Sequence, residues 1–139
     1  MVKDAVPLAE CGRALVVKLR HHGDVLLAAP VLSLLKARAP NLEVDALVYD
    51  DTVPMLEGHP ALSQLYFVGR RWRDAGALRR FTLERHLFST LKARKYDLLV
   101  HLTEHPRGAW FARLLGARWS VAPAMPHRGA FWTRSFTHL

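Results

Sequence analysis

The sequence predicts an α/β domain: an open sheet of parallel strands, doubly wound, with helices on both faces. Two observations carry that expectation. Short β-branched or apolar runs alternate with helix-spaced segments along the chain, and the connections between them are short, as right-handed crossovers require.

The elements follow in order. "RALVVKL" (13–19) reads as a buried strand: short, β-branched and bounded by turn signals. "VLLAAPVLSLLKARAP" (25–40) has helical spacing, with Leu27, Val31, Leu34 and Leu35 on one face. Pro30 should kink that helix or start its regular part, because proline lacks the amide donor, and Pro40 closes it. "LEVDALVY" (42–49) is a second strand, followed by a short helix that Gly58 ends. "LSQLYFV" (62–68) is a third strand. The basic loop "GRRWRDAG" leads into a long helix, "ALRRFTLERHLFSTLKARK". "YDLLVHL" (96–102), "RGAWFARLLG" (107–116) and "RWSVA" (118–122) supply a fourth strand, a further helix and a fifth strand. The closing "PHRGAFWTRSFTHL" reads as an unfinished element, so a longer chain is expected, with fraying where aromatic residues lack partners.

Composition bounds the function. The 139 residues suit one compact domain, and 50% apolar content makes it a folded one. The longest apolar stretch, 25–35, is too short for a bilayer, which needs about 20 residues. The N-terminus has no uninterrupted apolar run of the signal-peptide kind, and a single cysteine excludes an internal disulfide framework. Both fit a cytoplasmic protein. A net charge of +8 favours anionic partners: phosphorylated small molecules, nucleic acid or an anionic membrane face.

Ligands of open parallel sheets bind beyond the carboxyl ends of the strands. His21, His22, Gly23 and Asp24 follow the first strand and so lie on that edge. Gly23 allows close backbone approach or a positive φ. Asp24 is either a helix N-cap or a general base for a sugar or alcohol hydroxyl, and spacing does not choose between them. A lone glycine excludes the dinucleotide fingerprint, which needs three. After the third strand, Arg70, Arg71 and Arg73 surround Trp72; guanidiniums so spaced suit carboxylate or phosphate oxygens, or form a solvated loop. Trp72 would stack on a sugar or anchor that loop. "HLTEHPR" (101–107) spells an inverted zinc-protease motif, but that motif needs a helix, and here a strand runs into Pro106. Thr103, Glu104 and Arg107 are read instead as loop residues at the rim, and His101 as a strand residue with a bonded ring. Asp50 and Asp51 follow the second strand; adjacent side chains diverge on extended backbone, so Asp51 or Thr52 is read as a helix cap rather than part of a metal site.

With these residues placed, "VVKLRHHGDVLLAAPVLSLLKARAP" followed by "VDALVYDDTVPMLEGHP" resembles the opening of the lipopolysaccharide heptosyltransferases. "GAFWTRSFTHL" resembles the branch that adds the third inner-core heptose. The resemblance implies the N-terminal, acceptor-binding Rossmann-like half of a GT-B glycosyltransferase over 1–139. The ADP-heptose-binding half would lie outside these residues, leaving this part inactive alone. It also implies Asp24 as the catalytic base of an inverting transfer, with no metal and no cofactor beyond the donor substrate ADP-heptose. Basic side chains and helix dipoles of the donor half would stabilise the departing diphosphate. Acceptor contacts map to Gly23, His22, Arg70, Arg71, Arg73 and Arg107, with Arg128 a looser match. The implied partner is the lipopolysaccharide inner core at the cytosolic face of the inner membrane. The alternative is a non-catalytic basic α/β module that binds nucleic acid or another polyanion. Neither reading fixes an oligomeric state.

Overall fold

The computed structural model describes residues 6–19, 22–102, 107–124, 127 and 129–139. Five strands form one parallel sheet: β1 (Arg13–Val17), β2 (Glu43–Tyr49), β3 (Leu62–Val68), β4 (Leu98–His101) and β5 (Trp119–Val121). The order is β3–β2–β1–β4–β5. β1 is therefore the central strand, and Ala14 to Val17 are buried without interruption, which explains why its sequence shows no polar face. β3 is an edge strand whose register slips beside Val44 and Asp45, and its side chains are correspondingly more exposed.

Helices cover both faces. On one side α1 (His22–Leu26), α2 (Ala29–Arg38) and α3 (Val53–Leu56) bring Val25, Leu32 and Leu56 onto Ala14, Val16, Val44, Ala46 and Val48. On the other, α4 (Ala77–Ala93), α5 (Arg107–Leu115) and α6 (Gly129–Ser135) bring Leu91, Ala109, Ala112 and Trp132 onto Leu15, Val17, Leu47 and Leu99. The doubly wound sheet expected from the sequence is the one observed.

Two expectations change. The break expected at Pro30 is present, since residues 27 and 28 turn and Pro30 starts the regular helix α2 from its first turn, where its missing amide costs nothing, but the buried face is not the expected one. That break shifts the phase: Leu27 and Leu34 are 74% and 56% exposed, and Val25, Ala28 and Leu32 form the buried stripe. The C-terminal stretch is also a finished element. Trp132 in α6 is buried, its indole N–H donates to the Pro123 carbonyl at 3.0 Å, and Phe136 packs beside it with ring centroids 4.9 Å apart. Beyond α6, Thr137 exchanges hydrogen bonds with Ser120, and His138 bridges to Val121 at the sheet's edge. Trp132 and Phe136 find their partners inside this domain, while Phe131 stays 43% exposed.

The opposite, amino-terminal end of the sheet is fixed by charge. Asp45 on β2 has no exposed surface; Arg94 donates to both its oxygens, at 2.9 and 3.2 Å, and the Tyr96 hydroxyl donates at 2.7 Å. Arg94 also reaches Glu43, which accepts from Arg13 at 2.6 Å. A buried carboxylate survives only with such partners. Nearby, one oxygen of Asp97 accepts the amides of Gly12 and Arg13, at 2.7 and 3.1 Å, tying the entry of β1 to that of β4.

Candidate active site at the carboxyl edge

The sheet order reverses direction between β1 and β4, so the crevice for a ligand opens where those two strands end. Lys18 closes the floor of that crevice. It directly follows β1, and its ammonium donates to the Leu102 carbonyl beyond β4 at 2.8 Å. Sequence reasoning passed over Lys18 as part of a strand, and its only signal was a charge interrupting an apolar run.

Gly23 and Asp24 stand immediately beyond this point. α1 begins at His22, so Asp24 lies inside the first helical turn and is not the N-cap. A carboxylate there is favoured by the amide-rich helix end. Asp24 is partly exposed. Gly23 does not take a positive φ; it is helical and exposed, and a Cβ built on it meets no atom within 4 Å. Among the described residues its smallness therefore serves no packing. The His22 side chain lies outside the described structure, as does His21.

The loop after β3 reaches the same edge through the turn at 50–52, which α1 touches. Asp50 and Asp51 do not diverge, because the chain there coils into a 3-10 turn. Asp50 accepts the backbone amide of Arg70 at 3.1 Å, and Asp51 accepts from the Arg70 guanidinium at 2.9 Å. That guanidinium also lies 4.1 Å over the Tyr49 ring. Arg70 is thus oriented by three groups at the end of β2. Neither Asp51 nor Thr52 caps α3: the Thr52 hydroxyl donates backwards to the Tyr49 carbonyl at 2.8 Å. Arg71 is exposed, and the Arg73 side chain lies outside the described structure. Trp72 proves to be the anchor of the loop. Its indole presses on Gly69, where a Cβ would come within 1.9 Å of Nε1, and it packs against the second core.

Beyond β4, residues 103–106 are outside the described structure, so Thr103 and Glu104 are not placed. Arg107 opens α5 at the rim of the β1–β4 crevice, its side chain undescribed. His101 ends β4 fully buried, stacked on Phe136 at 6.0 Å, with Gly108 so close that a Cβ there would sit 1.9 Å from Nε2. Among the described residues no group of three His, Cys, Asp or Glu side chains comes together. Arg128 is outside the described structure.

The carboxyl edge thus carries a carboxylate just past the central strand and, beyond β3, an acid-braced arginine. No family model matches the chain. Among solved structures, the glycosyl transferase family 9 from Veillonella parvula superposes on 98% of this chain and 37% of its own length, with a TM-score of 0.78 and 20% identity. The Escherichia coli heptosyltransferase WaaC with ADP-2-deoxy-2-fluoro heptose superposes on 91% of this chain and 41% of its own, with a TM-score of 0.74 and 23% identity. The chain therefore shares the doubly wound, Rossmann-like α/β fold of the matched parts of these two GT-B-type structures.

Sequence makes the likeness particular. Over 122 residues, 87% of this chain, it is 43% identical to lipopolysaccharide heptosyltransferase 3 of E. coli, and 38% identical to the protein of that name from strain K12. Lipopolysaccharide heptosyltransferase 1 of Pseudomonas aeruginosa is 30% identical over 112 residues. The chain spans about a third (35%) of the length of the heptosyltransferase 3 sequences. The resemblance to lipopolysaccharide heptosyltransferases is thus shown over most of this chain.

Proposed function

We propose that this chain is the acceptor-binding domain of an inverting heptosyltransferase acting on the lipopolysaccharide inner core. The observation that carries the reading is Asp24, partly exposed beside an unobstructed Gly23 just past the central strand, in a chain 43% identical to a heptosyltransferase 3. In the reaction the Asp24 carboxylate takes the proton of an acceptor hydroxyl. The oxygen attacks the anomeric carbon of ADP-heptose from the face opposite ADP; the bond from that carbon to the diphosphate oxygen breaks, and ADP leaves. Arg70 and Arg71, with Arg73 and Arg107, bind the carboxylates and phosphates of the acceptor. The donor is held by a second half beyond these residues, and the 139-residue domain alone transfers nothing. It works at the cytosolic face of the inner membrane, in peripheral contact with it.

In the enzyme comprising both halves, Asp24→Asn should abolish turnover with the melting temperature kept; near-normal kcat removes the assignment of the base. Arg70→Ala and Arg71→Ala should raise the acceptor KM, and an unchanged KM in both dismisses the acceptor role of the loop. The charge of +8 also fits a polyanion-binding module. A gel shift with arbitrary DNA that weakens steeply with salt would favour that reading instead.

A further inference from the structure

We infer that Tyr49, Asp50 and Asp51 are positioning residues for Arg70, and that they make its guanidinium a selective contact for an anionic group, phosphate or carboxylate, on the acceptor. That role rests on the acceptor-binding function proposed above for the loop after β3. Each of the three residues holds a different part of Arg70. Oδ1 of Asp50 accepts the Arg70 amide at 3.1 Å and the Asp51 amide at 2.9 Å, which joins the start of the loop to the turn after β2. Asp51 accepts from Nε of Arg70 at 2.9 Å, and the guanidinium carbon lies 4.1 Å over the Tyr49 ring. The turn is itself anchored, because Thr52 is fully buried and its hydroxyl donates to the Tyr49 carbonyl at 2.8 Å. α1 touches that turn, so Arg70 is tied through it to the helix that bears Asp24.

Stability does not account for this convergence. The Asp51 and Arg70 side chains are 42% and 31% exposed, and an ion pair at such a surface contributes little to folding. What the three partners provide is order. A free arginine gives up rotamer freedom when it grips a ligand, and one already held gives up less. Charge alone works the other way: a carboxylate beside the guanidinium repels an incoming anion, so a brace that only neutralised Arg70 would weaken binding. The two roles therefore differ in sign. The gain from order also exists only for an acceptor that has the anionic group, whereas damage to the fold would affect every acceptor.

The test is steady-state kinetics of the enzyme comprising both halves, with a deacylated inner-core acceptor in phosphorylated, dephosphorylated and carboxyl-reduced forms. Asp51→Ala should raise the KM for the phosphorylated acceptor about threefold to tenfold, with kcat and the ADP-heptose KM unchanged. Tyr49→Leu, which removes the ring without changing charge, should move the acceptor KM in the same direction. The effect of Asp51→Ala should vanish with one of the two trimmed acceptors. Loss on dephosphorylation identifies a phosphate as the group that Arg70 holds, and loss on carboxyl reduction identifies a carboxylate. In an Arg70→Ala background, Asp51→Ala should add nothing. Melting temperatures are compared throughout, and the exposed Asp51 decides the matter if Tyr49→Leu fails to fold. An acceptor KM that Asp51→Ala leaves unchanged or lowers, an increase that persists with both trimmed acceptors, or penalties that add in the double variant overturn the positioning role. The two readings fail separately. Arg70→Ala without effect on the acceptor KM dismisses Arg70 as an acceptor contact and the brace with it, whereas an effect of Arg70→Ala without one of Asp51→Ala dismisses the brace alone.

Discussion

Gly23 distinguishes a structural from a functional reading at the level of one residue. It is helical, exposed and leaves a Cβ clear of every described residue, so Gly23→Ala should leave stability unchanged or raise it by up to about 1 kcal/mol. If the space above it receives an acceptor sugar, the same methyl should weaken acceptor binding, read as a rise in KM at constant melting temperature. An unchanged KM would return Gly23 to an ordinary helix position. Arg70 shows the limit of reading residues singly. The sequence displays three arginines as equivalent, whereas Asp50, Asp51 and Tyr49, some twenty positions away, hold Arg70 in one orientation. That contact was illegible because it depends on β2 and β3 ending side by side. Asp24 was legible to its place on the edge, but whether it caps α1 turned on where that helix begins.

At the scale of elements, strands were readable because β-branched runs bounded by turns leave few alternatives, and β3 has the limits the sequence gives it. Helix faces were less so. Pro30 splits one expected helix, and the buried stripe follows from the break rather than from the spacing. The joint between α4 and β4 was equally hidden. Asp45 looks like a polar interruption of β2, and only the fold supplies Arg94 and Tyr96 to neutralise it. Arg94→Met leaves that carboxylate buried and poorly paired, and should cost about 3–5 kcal/mol in denaturant unfolding. Burial and the hydrogen bond to Asp45 push the Tyr96 phenol well above its ordinary range. The folded protein then keeps a proton that the unfolded chain releases near pH 10, about the ordinary tyrosine value. Stability should be full below that pH and fall as pH rises above it. Tyr96→Phe should flatten this alkaline limb of the denaturant midpoint, and an unchanged limb would assign it to other groups. The same joint contains Lys95 at a φ of 56°, directly after the cap of α4. Lys95→Gly relieves that left-handed backbone and should stabilise by about 1 kcal/mol in the same unfolding measurement.

Taken whole, the molecule is a sheet whose two ends differ in their polar groups. The amino-terminal end is locked by the Asp45–Arg94–Glu43–Arg13 network and by Asp97, and the carboxyl end carries Lys18, Asp24, Arg70 and Arg71. Parallel pairing was implicit in the alternation of elements, but the packing of α6 was not, since Trp132 and Phe136 reach a core built from residues far away in sequence. Trp132→Ala should cost about 3–5 kcal/mol in unfolding free energy, as emptying a buried aromatic site does. A cost near zero would make α6 an accessory. The central claim concerns the other end, and it is tested most directly by an NMR titration of this 139-residue chain. The ligand is a deacylated, phosphorylated inner-core oligosaccharide carrying two heptoses. The expected result is a set of saturable shifts clustered at Gly23, Asp24 and residues 70–73, with the far network at Asp45 and Arg94 silent. No shift at millimolar ligand, or shifts scattered away from the carboxyl edge, would contradict an acceptor site there.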